Sequence, residues 1–203
     1  MEAQDKLSRR SAVARILADR GDLLVVTGLG SPTYDCAAAG DHPLNFYLWG
    51  AMGSAVTVGL GLALAQPRRR VLVVTGDGEM LMGLGALATT GAKKAHNIAI
   101  AVLDNERYGE TGMQPTHTSA GVDLAGVARA SGFRRTATVR QAGELDEAVA
   151  MLLTARGPVL VVLKVSSVRD PLVLPSWDGA FLKLRLREAL LGAPLAAQLA
   201  SPR

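Results

Sequence analysis

Short apolar runs rich in valine, leucine and isoleucine alternate along the chain with longer stretches of helical character. The runs cover residues 23–27, 71–75, 98–103, 136–139 and 159–165. Uninterrupted apolar runs of this length are typical of strands that are buried on both faces. Their alternation with helices predicts an α/β fold, with a doubly wound, mainly parallel sheet and helices on both of its faces.

The helices between these strands are predicted over residues 53–65, 79–93, 123–131 and 144–156. The first 22 residues have the pattern of an amphipathic helix, and they lack the long apolar region of a signal peptide. With 203 residues, the chain is long enough for one substantial core, which we assign to residues 1–170. Residues 171–203 are predicted to form a helical appendage, with its helix over 179–191. This appendage either covers the sheet or contacts another subunit.

Composition excludes several classes of protein. A single cysteine, Cys36, excludes a disulfide within the chain and a cysteine-rich metal site, and it indicates a reducing, cytoplasmic location. The net charge of +4 is scattered and has few aromatic residues nearby, unlike the basic surface of a nucleic-acid-binding protein. The uncharged stretch 48–65 is near the length of a membrane span, but its glycines favour a closely packed helix, with membrane insertion as the alternative.

Polar residues follow two of the predicted strands at the point where each strand ends. Gly76-Asp77-Gly78 comes directly after the strand 71–75, and Asn105 follows the strand 98–103. If these parallel strands are neighbours, both side chains lie at the same edge of the sheet, where ligands bind in such folds. Carboxylate and amide oxygens suit Mg²⁺, and glycine amides beside a helix start suit a phosphate group. The alternative is two unrelated turns, because Gly, Asp and Asn are common turn residues.

The Gly-Asp-Gly motif, followed by Asn after 26 residues, resembles the diphosphate-binding signature of thiamine diphosphate enzymes. Two flanking stretches extend the likeness: NFYLWGAMGSAVTVGLGLALA before the signature, and LDNERYGETGMQPT at its end. Together, over residues 21–165, they resemble sulfopyruvate decarboxylase beta subunits and phosphonopyruvate decarboxylases. The resemblance implies the thiamine diphosphate-binding fold, diphosphate domain, with thiamine diphosphate and Mg²⁺ as cofactors.

The resemblance also implies roles for single residues. Asp77 and Asn105 would bind Mg²⁺ through their side chains, and Arg107 through its main-chain carbonyl. The Gly50 carbonyl would accept a hydrogen bond from the cofactor's 4′-amino group, and Met52 would support the cofactor in its bent shape. Gly78 and Glu79 would offer their amides to the diphosphate. The implied cofactor-binding set is Gly50, Met52, Gly76, Asp77, Gly78, Glu79, Asn105, Tyr108, Gly109 and Thr111.

Two positions depart from the family's pattern. Glu79 and Arg107 stand where many of these decarboxylases have small residues. A carboxylate at position 79 would repel a diphosphate unless its side chain turned away.

A histidine in the last motif is the candidate catalytic residue. His117 could donate a hydrogen bond to the substrate or transfer a proton near neutral pH. The alternative is a solvated loop histidine. Arg107, Thr111 and Gln114 are further candidate contacts for an anionic substrate.

The resemblance implies that the active site is shared between two chains. Thiamine diphosphate usually needs a glutamate beside its aminopyrimidine ring, and in these enzymes a separate domain supplies it. We therefore expect a beta-type subunit that pairs with an alpha-type, pyrimidine-domain subunit, as α₂β₂ or a larger assembly. The expected reaction converts a 3-sulfopyruvate-like or phosphonopyruvate-like 2-oxo acid to an aldehyde and CO₂. The alternatives are half of another thiamine diphosphate enzyme, a carboligase or oxidoreductase, and a noncatalytic cofactor-binding partner protein.

Overall fold

A six-stranded sheet, parallel throughout, forms the centre of the protein in a computed structural model that describes residues 6–193. Its strand order is β2-β1-β3-β4-β8-β7. The six strands are β1 (Leu24–Thr27), β2 (Asn45–Tyr47), β3 (Val71–Gly76), β4 (Ile98–Asp104), β7 (Arg135–Val139) and β8 (Val159–Lys164). A separate antiparallel hairpin joins β5 (Arg107–Tyr108) to β6 (Gln114–Pro115). The predicted fold class is confirmed, and all five predicted strands are present.

Helices pack on both faces of this sheet. Along β3, Leu72 and Val74 belong to one apolar cluster, and Val71 and Val73 belong to the cluster on the opposite face. This alternation is the reason that the strand sequences are apolar at every position. The helices are α1 (Arg9–Leu17), α2 (Ser31–Ala38), α3 (Ala55–Ala65), α4 (Asp77–Met82), α5 (Gly85–Lys93), α6 (Leu124–Ala130), α7 (Leu145–Thr154) and α8 (Gly179–Leu191).

One predicted helix is two helices in the structure. The segment 79–93 is divided between α4 and α5 at Gly83, which ends α4. A Cβ atom on Gly83 would lie 2.1 Å from the carbonyl oxygen of Gly53, so two stretches of backbone are in direct contact here. Glycine has a low helix propensity, and the contact fixes the interruption at this position. The prediction of one continuous helix was therefore wrong.

Several elements were absent from the prediction, among them β2, α2 and the two short strands of the hairpin β5–β6. Strand β2 has only three residues, too few to give a periodic pattern, although Asn45 and Tyr47 are buried in it. Helix α2 begins after Gly30, whose φ of +79° is a backbone conformation that favours glycine. Pro32 lies in the first turn of the helix, where proline is well tolerated. Strand β2 pairs with β1 and forms the edge of the sheet, and α2 packs against β1 and β3.

The last helix packs at the β2 edge. Leu182 and Leu186 of α8 are buried, and Arg185 forms an ion pair with Asp41 at 2.6 Å. The predicted helix 179–191 is thus confirmed, and it covers the sheet edge as one of the two alternatives proposed. The boundary at residue 170 stays a prediction, and residues 1–5 and 194–203 of the predicted terminal segments lie outside the described residues.

No helix formed by residues 6–193 is long and apolar enough to span a lipid bilayer. The uncharged stretch 48–65 contributes the eleven-residue helix α3, which packs against β1 and β3.

Candidate functional site

A cavity lies beyond the carboxyl ends of β1, β3 and β4, with a volume of about 620 Å³ including the part open to solvent. The chain runs from β1 outward to β2 and then returns past β1 to β3, so the sheet order reverses between β1 and β3. Crevices at this reversal are the usual ligand sites of open parallel sheets.

Most of the predicted site residues line this cavity. They are Met52, Gly76, Asp77, Gly78, Glu79, Asn105, Arg107, Tyr108, Gly109 and Thr111. Gly50 lies outside this lining set, in the same loop as Met52, and has a φ of +73°. His117 and Gln114 also lie outside it, and both are exposed. The Nδ1 atom of His117 is 3.4 Å from the Tyr108 hydroxyl.

Asp77 begins α4 directly after β3, and its side chain is almost completely buried. The Thr116 hydroxyl donates a hydrogen bond to its Oδ2 atom at 2.5 Å. Burial raises the pKa of Asp77 to about 6, the hydrogen bond from Thr116 opposes that effect, and the nearby Asp104 adds to it. The structure therefore holds a carboxylate with little solvation in the cavity wall, an environment that favours a bound cation.

Asn105 comes directly after β4, which is the neighbour of β3 in the sheet. Its Oδ1 atom accepts a hydrogen bond from the amide of Arg107 at 3.0 Å, which makes a tight turn after the strand. An amide oxygen has a second lone pair, so this bond leaves it able to bind a cation. Neighbouring parallel strands thus bring Asp77 and Asn105 to one cavity, as the sequence predicted.

The hairpin β5–β6 lies over the first turn of α4. The ring of Tyr108 is so close to Gly78 that a Cβ atom there would lie 2.6 Å from the ring's Cδ1 atom. A Cβ atom on Gly109 would meet no atom within 4 Å. Gly78 therefore permits the approach of the hairpin, whereas Gly109 leaves free space in the cavity wall.

Glu79 points at the end of β1. Its Oε2 atom accepts a hydrogen bond from Thr75 at 2.7 Å, and it occupies the space that a side chain on Gly28 would need. Burial raises the pKa of Glu79, and the bond from Thr75 and the amides of Ala55, Gly53 and Leu29 oppose that effect. The carboxylate is thus held against the protein, which answers the objection that a free acid here would repel a diphosphate.

Six residues of the cavity wall were not predicted. They are Leu29, Ser31 and Pro32 after β1, Arg9 in α1, Leu103 in β4 and Glu110 in the hairpin. The glycines at positions 28 and 30, directly after a strand, were an available signal for the first three. Arg9 is buried and forms an ion pair with Asp35, a contact across 26 residues that no local pattern reveals.

The side-chain oxygens of Asp77 and Asn105 are suitable ligands for a hard divalent cation that also binds an anionic group. The hydroxyls of Thr116 and Thr118 both approach Oδ2 of Asp77, and no side chain among residues 6–193 donates a hydrogen bond to its Oδ1 atom. Oxygen ligands of this kind suit Mg²⁺, which binds to few protein groups and retains sites for phosphate oxygens. Within the described residues, no group of three or more His, Cys, Asp or Glu side chains could hold a metal ion.

The parallel sheet, the position of the cavity and its oxygen donors define a cofactor-binding α/β domain. Residues 29–163 match the family described as "Thiamine pyrophosphate enzyme, C-terminal TPP binding domain", and the chain belongs to that family.

Two relatives are similar over 159 residues, or 78% of the chain. The phosphonopyruvate decarboxylase of Streptomyces viridochromogenes is 44% identical, and the sulfopyruvate decarboxylase subunit beta of Methanothermobacter thermautotrophicus is 40% identical. The chain spans 40% of the length of the first protein and 82% of the second.

A solved structure shows the same fold. The benzoylformate decarboxylase of Polynucleobacter necessarius superposes with a TM-score of 0.71 at 20% identity, over 82% of this chain and 34% of that protein.

Proposed function

We propose that this chain binds thiamine diphosphate through Mg²⁺ and forms half of the active site of a 2-oxo acid decarboxylase. The observation that carries the proposal is the placement of Asp77 and Asn105 at the ends of two adjacent parallel strands, in the wall of one cavity. Membership of the thiamine pyrophosphate enzyme family supports the identity of the cofactor.

The chain's own residues would hold and orient the cofactor. Asp77, Asn105 and the carbonyl of Arg107 would bind the cation, and the amides of Gly78 and Glu79 would bind the diphosphate. Gly50 would accept a hydrogen bond from the cofactor through its carbonyl, and Met52 would support the cofactor's bent shape. The bound cofactor supplies an electron sink for the loss of CO₂ from a 2-oxo acid.

A second polypeptide is part of the proposal. The chain corresponds to 40% of a phosphonopyruvate decarboxylase but to 82% of a sulfopyruvate decarboxylase subunit beta. The first relative thus has a further portion that this chain does not match. Met52 lines the cavity and is 41% exposed, so an apolar part of the wall is open to a neighbouring chain. We infer an alpha-type partner that carries the glutamate for the aminopyrimidine, in an α₂β₂ or larger assembly.

The proposed substrate is a short 2-oxo acid with a second anionic group, of the sulfopyruvate or phosphonopyruvate kind. The candidate contacts are on or directly after the hairpin: Arg107, Thr111, Gln114 and His117. All four are exposed, as groups that meet a ligand between two chains would be. Half of a carboligase or an oxidoreductase stays the alternative, because one fold serves several reactions.

Cofactor binding can be tested without the partner. Asp77→Ala should abolish Mg²⁺-dependent binding of thiamine diphosphate in isothermal titration, and circular dichroism should remain unchanged. Asp146→Ala is the control, because this carboxylate is 78% exposed on the surface. Binding by the Asp77 variant with the affinity of the wild type would refute the cation site.

The shared active site needs a separate experiment. The purified chain, supplied with Mg²⁺, thiamine diphosphate and sulfopyruvate or phosphonopyruvate, should release no CO₂ above background. Addition of an alpha-type chain should start the reaction. Rapid CO₂ release by the chain alone would contradict the requirement for a partner.

A further inference from the structure

Two buried threonines stand between the carboxylates at the ends of β3 and β4. Thr116 and Thr118 lie directly after the hairpin, and each is at most 5% exposed. Thr116 is 2.5 Å from Oδ2 of Asp77, and Thr118 is 2.8 Å from Oδ1 of Asp104. The two hydroxyl oxygens are 2.9 Å apart.

The number of protons decides which carboxylate each hydroxyl serves. Each threonine has one O–H to donate, and neither carboxylate, when ionised, has any. Thr118 is 3.3 Å from Asp77, farther than from Asp104, so its proton goes to Asp104. Asp104 also forms an ion pair with Lys164, whose Nζ atom lies 2.7 Å from Oδ2 of Asp104. Asp77 therefore depends on Thr116 for its side-chain donor.

We propose that Thr116 is a positioning residue for cation binding, which fixes the Asp77 carboxylate by engaging Oδ2 and leaves Oδ1 for the cation. This inference rests on the proposed function, because it takes Asp77 as a ligand of the cation. A carboxylate held in one rotamer by a buried hydrogen bond loses less conformational freedom when it binds a cation.

The same threonine connects the hairpin to the cation site. Its amide donates to the carbonyl of Glu106 at 3.0 Å, beside Asn105 and Arg107. At the other strand of the hairpin, Tyr108 packs on Gly78. Thr116 thus joins the segment after β4 to the segment after β3 through one side chain and one amide. Removal of the hydroxyl should release Asp77 and leave the amide contact with Glu106 in place.

The test is a comparison of hydroxyl-containing and hydroxyl-free variants of the full chain. Thr116→Val keeps the shape of the side chain and removes its donor, Thr116→Ala removes the donor without branching, and Thr116→Ser retains the donor. The Mg²⁺ affinity is measured by isothermal titration in the presence of saturating thiamine diphosphate. Circular dichroism and thermal unfolding without cation show whether each variant is folded.

We expect the Val and Ala variants to bind Mg²⁺ about 10- to 100-fold more weakly, as is usual when the partner of a metal ligand is lost. Thr116→Ser should recover most of the affinity. Thr118→Val is the matched control, and it should have the smaller effect because its closer acceptor is Asp104.

Wild-type affinity in a folded hydroxyl-free variant would overturn the inference. So would a folded Ser variant that binds as weakly as the Val variant. The Asp77→Ala variant distinguishes failure of the positioning role from failure of the proposed function. If this variant loses Mg²⁺ binding while the Thr116 variants do not, only the positioning role of Thr116 fails. If it still binds Mg²⁺ and thiamine diphosphate, the proposed function itself fails.

Discussion

The contact between Gly28 and Glu79 gives a quantitative prediction about the wall of the cavity. A Cβ atom on Gly28 would lie 1.4 Å from Oε2 of Glu79 and 2.5 Å from its Cδ. No small adjustment relieves such an overlap, so Gly28→Ala must displace the carboxylate. Displacement breaks the 2.7 Å hydrogen bond from Thr75. A hydrogen bond to a charged group contributes about 1.5–3 kcal/mol, and we expect Gly28→Ala to lower the free energy of unfolding by that amount.

The clash disappears when the carboxylate is removed. In a Glu79→Ala background, Gly28→Ala should cost less than about 1 kcal/mol, because the added methyl group enters the vacated space. Urea unfolding of the wild type, both single variants and the double variant measures the coupling energy between the two positions. Gly61→Ala is a control, because a Cβ atom there meets no atom within 4 Å.

A functional consequence follows from the same geometry. Glu79 lines the cavity, so a Glu79 carboxylate that Gly28→Ala displaces should move towards the proposed diphosphate site. Gly28→Ala should therefore weaken thiamine diphosphate binding, and the double variant should bind more tightly than this single variant. An equal cost of Gly28→Ala in both backgrounds would show that Glu79 does not occupy the position described.

Two further predictions concern parts of the fold away from the cavity. A Cβ atom on Gly91 would lie 1.7 Å from the carbonyl oxygen of Ser131, so Gly91→Ala should destabilise the protein by about 1–3 kcal/mol. Gly85 is in the same helix, and a Cβ atom there would meet no atom within 4 Å, so Gly85→Ala should be neutral or stabilising by up to about 1 kcal/mol. Equal effects of the two substitutions in urea unfolding would contradict this packing. Burial acts to raise the pKa of Asp41, but hydrogen bonds from Arg185 and Tyr47 outweigh this effect and leave the pKa below its ordinary value of 3.8. The ionised carboxylate therefore stabilises the fold at pH values above 3.8. The stability difference between wild type and Asp41→Asn should therefore be constant near neutral pH and shrink as the pH falls below about 4, and an equal difference at pH 3 and pH 7 would exclude this ion pair as its source.

The sequence determined the sheet because strands buried on both faces need apolar side chains at every position. The runs that became β3, β4 and β8 contain almost nothing else, and their limits agree with the structure to within one residue. Strand β2 gave no such signal, because it has three residues and one of them is Asn45. Its place at the edge is decided by contacts with β1 and α8.

Part of the site could also be predicted from the sequence. Asp77 and Asn105 follow strands that were correctly placed, so the geometry of a parallel sheet brings them to the same edge. Their roles as cation ligands, and that of His117 as a catalytic group, stay predictions. His117 is exposed and lies outside the residues that line the cavity.

What the chain alone could not reveal are the contacts between residues that are distant in the sequence. The hydroxyl of Thr116 reaches Asp77 across 39 residues, and the carboxylate of Glu79 reaches the space beside Gly28 only because β1 and β3 are neighbours. Local patterns record which face of an element is apolar, because burial of each residue type depends on its own side chain. The pairing of two polar groups depends on how whole elements pack, and only the tertiary structure decides that.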